Sequence, residues 1–300
     1  MTSDSNKSIL LSRIEGLRQI PTIPAVLQPL LQYLELPTEQ LDVQKITEMI
    51  GQDECLAAQC LQMSNSPLFG KWQKIESLKA AVVSLGIQRV SDIAMSCGVL
   101  NMLDKDIGGI NAVAFWEHSL GCALVCRHFA HKISYPNPGK AYLAGLLHDI
   151  GIIVNLWVLP NEFQAAFDFA RKQAIPLDEA EKHTLGFTHC ESGLMLAERW
   201  SLAPDLRESV SLHHSNYGSS EHAGLIALVE LSDLLCRMSG LNYGYIENRE
   251  INLLSQTGFG VLSTRFPSLE QFDWARLTFE LESYMDEVHS LVHSIYRHWA

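Results

Sequence analysis

The chain has 300 residues, 47% of them apolar and 19% charged, with 34 acidic against 22 basic side chains and a formal charge of -12. That is the balance of a soluble globular protein, long enough for one large or two modest domains. An acidic surface without a Lys/Arg stripe argues against nucleic acid or anionic lipid as a partner. No apolar run reads as a bilayer span and no basic start precedes an apolar stretch, so the expected location is the cytoplasm, without a membrane contact.

Helical periodicity dominates, and no alternating strand pattern stands out, so the fold class expected is all-α. Residues 8–19 read as a short amphipathic helix, broken by Pro21 and Pro24. Pro24 can open the next helix, which runs to Leu36 and stops at Pro37. Thr38 or Asp42 caps a helix that runs through Ile50. Further helices are expected at 53–64, 77–86 (closed by Gly86) and 87–101. The two glycines in 104–109 mark a linker. Beyond it, helices are expected at about 112–132, 138–149, 160–174, 177–186, 189–200, 204–214, 222–239 and 271–298. Five Gly and Pro residues between 240 and 268 mark that segment as loop and short turns, a candidate flap or partner contact.

The chemistry gathers around His148-Asp149, in the run AGLLHDIG over 144–151. His118 precedes it; His189, the pair His213-His214 and Asp233 follow. Imidazole nitrogen and carboxylate oxygen are the ligands of Zn, Mn, Fe or Ni in hydrolytic sites. Seven of them are too many for one tetrahedral ion and suit two ions bridged by a carboxylate. The adjacent pairs sit at the ends of apolar helical runs, where an ionisable pair needs a partner or a metal. The remaining seven histidines, His128, His131, His183, His222, His289, His293 and His298, read as ordinary core or surface residues. Seven cysteines, scattered and without a Cys-x-x-Cys pair, indicate neither a disulfide framework nor a zinc ribbon. Cys122 and Cys126, one turn apart beside His118, read as small core residues.

Three segments carry a resemblance: LRQIPTIPAVL over 17–27; LAAQCLQMSNSPLFG over 56–70 with IESLKAAVVSLGIQRV over 75–90; and the His-Asp core with GFTHCESG over 186–193. Together they resemble the HDOD domain, the bacterial HD-related output domain. The resemblance covers about residues 13–240, divided into an N-terminal helical part (13–103) and an HD-like core (110–240), and leaves 241–300 as a loop-rich segment with a C-terminal helix. It implies a helical bundle packed on an HD-like core and a bacterial signalling role. No catalytic activity is established for that family as a class. The C-terminal half also resembles the HD and HD-GYP phosphohydrolases. That likeness implies metal-ligand roles for His118, His148, Asp149, His189, His213, His214 and Asp233, with Asp149 bridging. Any catalytic role would then fall to Asp149 and His148.

The departures bear on function. Where HD-GYP enzymes carry a phosphate-facing lysine after His-Asp-x-Gly, this chain has Ile152, and the Gly-Tyr-Pro signature is absent. A lost cation at phosphate removes transition-state stabilisation. The expected function is therefore a non-catalytic signalling domain with a retained centre for up to two divalent ions (Fe, Mn, Ni or Zn). Its expected partners are other signalling proteins or a nucleotide-type small ligand. The alternatives are a metal-dependent phosphohydrolase acting on a nucleotide or cyclic dinucleotide, and a redox-responsive di-iron site.

Overall fold

The computed structural model describes residues 12–14, 16, 27–34, 36, 40–69, 74–100, 111–267, 269 and 272–298. Every regular element among them is helical, as the periodicity implies. The chain divides into two compact units. One holds residues 21–103 and 286–300; the other holds 1–20 and 104–285. The expected helix over 8–19, the proline break and most of the 17–27 segment, and the 104–109 linker lie largely or wholly outside the described residues.

In the first of these units, α1 (Leu27–Leu34), α2 (Val43–Gly51), α3 (Glu54–Ser64), α4 (Leu78–Leu85) and α5 (Ile87–Leu100) form a small bundle, with α3 against α5. The start signals are the expected kind. Asp42 caps α2 by accepting from Lys45 N, and Thr38 lies outside the described residues; Asp53 caps α3 and Ser77 caps α4 in the same way. The α5 helix is buried along Val90–Leu100, so it is the bundle's core.

The other unit contains α6 (Ala112–Lys132), α7 (Pro138–Leu147), α8 (Ile150–Val158), α9 (Pro160–Gln173), α10 (Leu177–Thr184), α11 (His189–Arg199), α12 (Pro204–Leu212), α13 (Ala223–Met238) and α14 (Thr257–Arg265). The last helix, α15 (Trp274–His298), crosses the division at residue 285. Here α6 packs on α7 and α13, and α8 packs on α11.

Two helices escape the sequence pattern. The α8 helix is apolar almost all round, with only Trp157 exposed, so it has no polar face for periodicity to reveal. The α14 helix forms despite Gly258 and Gly260, where the residues suggest loop. Glu230 of α13 accepts from Gly258 N at 2.9 Å and fixes its first turn. The expectation that no run reaches bilayer length is also corrected: Pro138–Val158 meets that length and apolarity, but 94% of its most apolar window is buried inside the fold. It is α7 and α8, broken by a turn at His148-Asp149, and its apolarity belongs to the core.

Candidate metal centre

The turn between α7 and α8 places the central pair. His148 is the first residue after α7 and Asp149 the last before α8. The α6 helix, capped by Asn111, brings in His118. His189 opens α11, held by a reciprocal Thr188/Glu191 capping box. His213 and His214 follow the end of α12, and Asp233 comes from α13. All seven residues singled out by the sequence converge, six of them at most 2% exposed and His214 partly buried.

They form two adjoining sets. In the first, His118 Nε2 lies 3.3 Å from His148 Nε2 and 3.1 Å from Asp233 Oδ1. In the second, Asp149 Oδ1 lies 3.0 Å from His189 Nε2 and 3.4 Å from His213 Nε2, and the His214 ring lies 4.1 Å from that of His213, centroid to centroid. Asp149 touches both, because its Oδ2 is 3.0 Å from His148 Nε2 and 3.5 Å from His118 Nε2.

The outer faces of four imidazoles fix what the inner faces can do. The Nδ1–H of His118 donates to Leu241 O (2.7 Å), that of His148 to Gly145 O (2.8 Å) and that of His213 to Val210 O (3.0 Å). His189 Nδ1–H donates to Glu181 Oε2 at 2.7 Å. With Nδ1 committed, each neutral ring presents an Nε2 lone pair to the centre. These nitrogens face one another and face carboxylate oxygens, an arrangement that calls for positive charge between them, from protons or from a metal. Asp149 Oδ1, His189 Nε2 and His214 Nε2 are buried without a hydrogen-bond partner. The donor set and these orphaned atoms fit a divalent metal, and this cluster could hold one.

The local field points the same way. Burial favours the neutral acid, yet Arg237 and His118 hold Asp233 well below the usual carboxylate range. Asp149 is also held low against burial by His148 and His189. Burial lowers His148, and burial together with the neighbouring His213 and His189 rings pushes His214 well down, so neither favours a proton. Against burial, Cys122 and Asp233 hold His118 up, Glu181 holds His189 up and Cys190 holds His213 up to about 10, so the centre attracts positive charge, as protons or as metal, without protonating every ring.

Three supporting residues are absent from the sequence reading. Glu181 of α10 is fully buried and accepts from both His189 N (2.8 Å) and His189 Nδ1. Its signal was available: it lies on the apolar stripe Leu177, Ala180, Glu181, where a carboxylate is otherwise costly. Arg237, one turn after Asp233, donates from Nε to Asp233 Oδ1 at 2.7 Å and from Nη1 to Glu247. Tyr243 donates its hydroxyl to Asp149 Oδ2 and sets its ring 4.8 Å from His118 and 5.3 Å from the Arg237 guanidinium. Leu241, Tyr243 and Tyr245 are buried, so the start of the segment read as a flap is packed as a strap over the centre. Ile152, at the position of the missing lysine, is fully buried in α8 and faces no open space.

Among the other histidines, His128 pairs with Glu280 at 2.9 Å, and His183 stacks on Phe169.

Comparison with known proteins places the chain. The HDOD domain family matches residues 20–216. An HDOD domain protein of unknown function from Geobacter sulfurreducens superposes with a TM-score of 0.82 over 97% of this chain and 98% of its own, at 25% identity. A protein from Shewanella amazonensis SB2B, named provisionally as a phosphohydrolase, shares the fold with a TM-score of 0.70 and 20% identity, covering 95% and 97% of the two chains. An uncharacterized protein of Treponema pallidum (strain Nichols) is 24% identical over 73% of this chain but only 42% of its own length. The chain thus spans less than half of that curated relative. With the match over most of its length and a helical fold shared end to end with a member, the chain belongs to the HDOD domain family.

Proposed function

We propose that this protein is a non-catalytic bacterial signalling domain whose His/Asp centre holds up to two divalent ions, with His118, His148, Asp149, His189, His213, His214 and Asp233 as ligands and Asp149 bridging. The observation that carries the metal reading is the inward aim of four imidazoles: each spends Nδ1 on an outward acceptor and turns Nε2 toward two carboxylates. A bound ion would supply Lewis acidity and charge neutralisation there. The protein's own residues supply the rest: Glu181 orients His189, Arg237 orients Asp233, and Tyr243 holds Asp149 Oδ2.

Against turnover stand the near-complete burial of the ligands, Ile152 turned into the core, and the strap from Leu241 to Tyr245. The outer side of the strap bounds a cavity of about 310 Å³ whose lining includes Arg237, Arg249, Tyr245 and Ile246. Glu247 lines it too and pairs with both guanidinium groups, so a small anionic ligand of nucleotide type would bind there by displacing that carboxylate. Because Arg237 reaches both cavity and Asp233, ligand and metal would share a residue. The other proposed partners are signalling proteins in the cytoplasm, not nucleic acid or membrane.

A phosphohydrolase acting on a nucleotide or cyclic dinucleotide is the second reading, favoured by the complete ligand set. The experiment that separates them is elemental analysis of protein purified without a metal-affinity tag, coupled to a phosphoester screen with Mn, Fe, Ni and Zn. Bound metal without turnover is the expected result. Robust turnover that is lost in His148→Ala supports the second reading. In Asp149→Ala the metal content should fall to half or less, since no other side chain reaches both sets; unchanged stoichiometry would refute the bridge. Glu181→Gln should weaken metal affinity about 10–100-fold while leaving the fold intact, as expected for a group that orients a ligand. Competition against a chelating dye measures it.

A further inference from the structure

We infer that Cys122 is an additional metal ligand, which brings a thiolate to the first set beside its two imidazoles and the carboxylates of Asp233 and the bridging Asp149. The inference rests on the metal reading above and adds a residue that neither the sequence motif nor the family match assigns. Cys122 lies one turn after His118 on α6, fully buried, with Sγ 3.5 Å from His118 Nε2. The candidate ligand atoms of His118, Cys122, His148 and Asp233 all lie within 4.8 Å of one another.

Three of the separations are those between ligands on one ion. With metal–nitrogen or –oxygen bonds of about 2.0–2.1 Å and a metal–sulfur bond of about 2.3 Å, ligand atoms lie roughly 3.3 Å apart for N/O pairs and roughly 3.6 Å apart for a nitrogen–sulfur pair. The matching separations are 3.3 Å (His118 to His148), 3.1 Å (His118 to Asp233) and 3.5 Å (His118 to Cys122), while His148 and Asp233, 4.0 Å apart, must draw closer on an ion. Asp149 Oδ2, which Tyr243 engages, still reaches this set from the second, so the thiolate adds to the bridge and does not replace it. The neighbouring thiols differ. Cys126 donates to Leu228 O, and Cys190 lies beside His213, 3.8 Å from its Nδ1, outside both ligand groups.

Two consequences follow. These four ligands and the bridging Asp149 leave the first set no open position, so it holds a structural ion and any exchangeable position belongs to the second set, around Asp149 Oδ1. A soft thiolate also shifts the preference of the first set toward zinc or iron and away from manganese. Binding must expel the thiol proton, since the metal takes the thiolate.

Cobalt(II) loading of the full chain tests this with a spectroscopic readout. Wild-type protein should show an intense sulfur-to-cobalt charge-transfer band in the near ultraviolet. Cys122→Ser should lose the band and bind zinc at least 10-fold more weakly, while Cys126→Ser keeps both. Cys122→Ala should lose the band likewise, which guards against a serine that mimics the ligand. Cobalt bound in full without the band, or a band that survives in Cys122→Ser, overturns the cysteine ligand and leaves the His/Asp centre standing. Failure to bind cobalt or zinc at all overturns both.

Discussion

Gly151→Ala should destabilise the protein by about 4 kcal/mol or more, at the extreme of single substitutions, or prevent its soluble expression. Ordinarily, replacing glycine by alanine within a helix gains roughly 0.5–1 kcal/mol, by entropy and propensity. Here the sign reverses, because α8 meets α11 at this residue. A Cβ on Gly151 would stand 1.9 Å from His189 O and 2.6 Å from Gly193 N. Both are backbone atoms, so no rotamer change relieves the overlap, and the helices must separate. His189, whose carbonyl is struck, is itself a proposed ligand, so any surviving fold should also lose metal affinity. Gly260→Ala is the control: that glycine lies within α14, and a Cβ added there would have nothing within 4 Å. It should be neutral or slightly stabilising. Urea unfolding of the two variants measures the contrast, and a Gly151→Ala protein as stable as wild type would mean that α8 and α11 do not approach this closely.

The glycine of His-Asp-x-Gly therefore serves packing next to the centre, which the motif alone does not reveal. Other parts of the molecule were legible for identifiable reasons. Helices with one polar and one apolar face, such as α9 with Phe163, Ala166, Phe167 and Ala170 inward, are visible in the pattern. The seven ligand candidates were visible because ionisable residues interrupt apolar runs, where they need compensation. What stayed hidden depends on long-range contact. The α8 helix has no polar face, and α14 carries two glycines that propensity assigns to loop. Cys122 looks like any small core residue until folding sets its sulfur beside His118. Tyr243 reaches Asp149 across 94 residues, from a segment whose glycines suggest a free flap. The orienting charges, Glu181 and Arg237, lie between: each stands on an apolar helical face, a signal that was present but not distinctive.

Arg237→Met should cost about 3–5 kcal/mol in metal-free protein, the range for breaking one partner out of a buried ion pair. Arg237 is the guanidinium between two carboxylates, Asp233 Oδ1 at 2.7 Å and Glu247 Oε1 at 2.5 Å, and all three side chains are largely buried. Methionine keeps most of the volume but leaves Asp233 with His118 and Glu247 with only the exposed Arg249. The metal changes the size of the effect. An ion on Asp233 neutralises the carboxylate that Arg237 otherwise holds, so the same substitution should cost less in zinc-loaded protein. The difference is a coupling energy, expected at roughly 1–2 kcal/mol within the range for groups that share a partner. Linkage then requires the converse. If metal softens the loss of Arg237, loss of Arg237 must strengthen metal binding by the same free energy, about 10-fold, because a cation beside a ligand carboxylate repels the incoming ion. Unfolding of both proteins with and without zinc gives one side of that cycle, and zinc titration against a competing chelator gives the other. An equal cost in both states, with unchanged zinc affinity, would remove Asp233 from the ligand set. A larger cost in the zinc-loaded state would mean that Arg237 and the ion support each other, through the strap and Tyr243, and do not compete for one carboxylate.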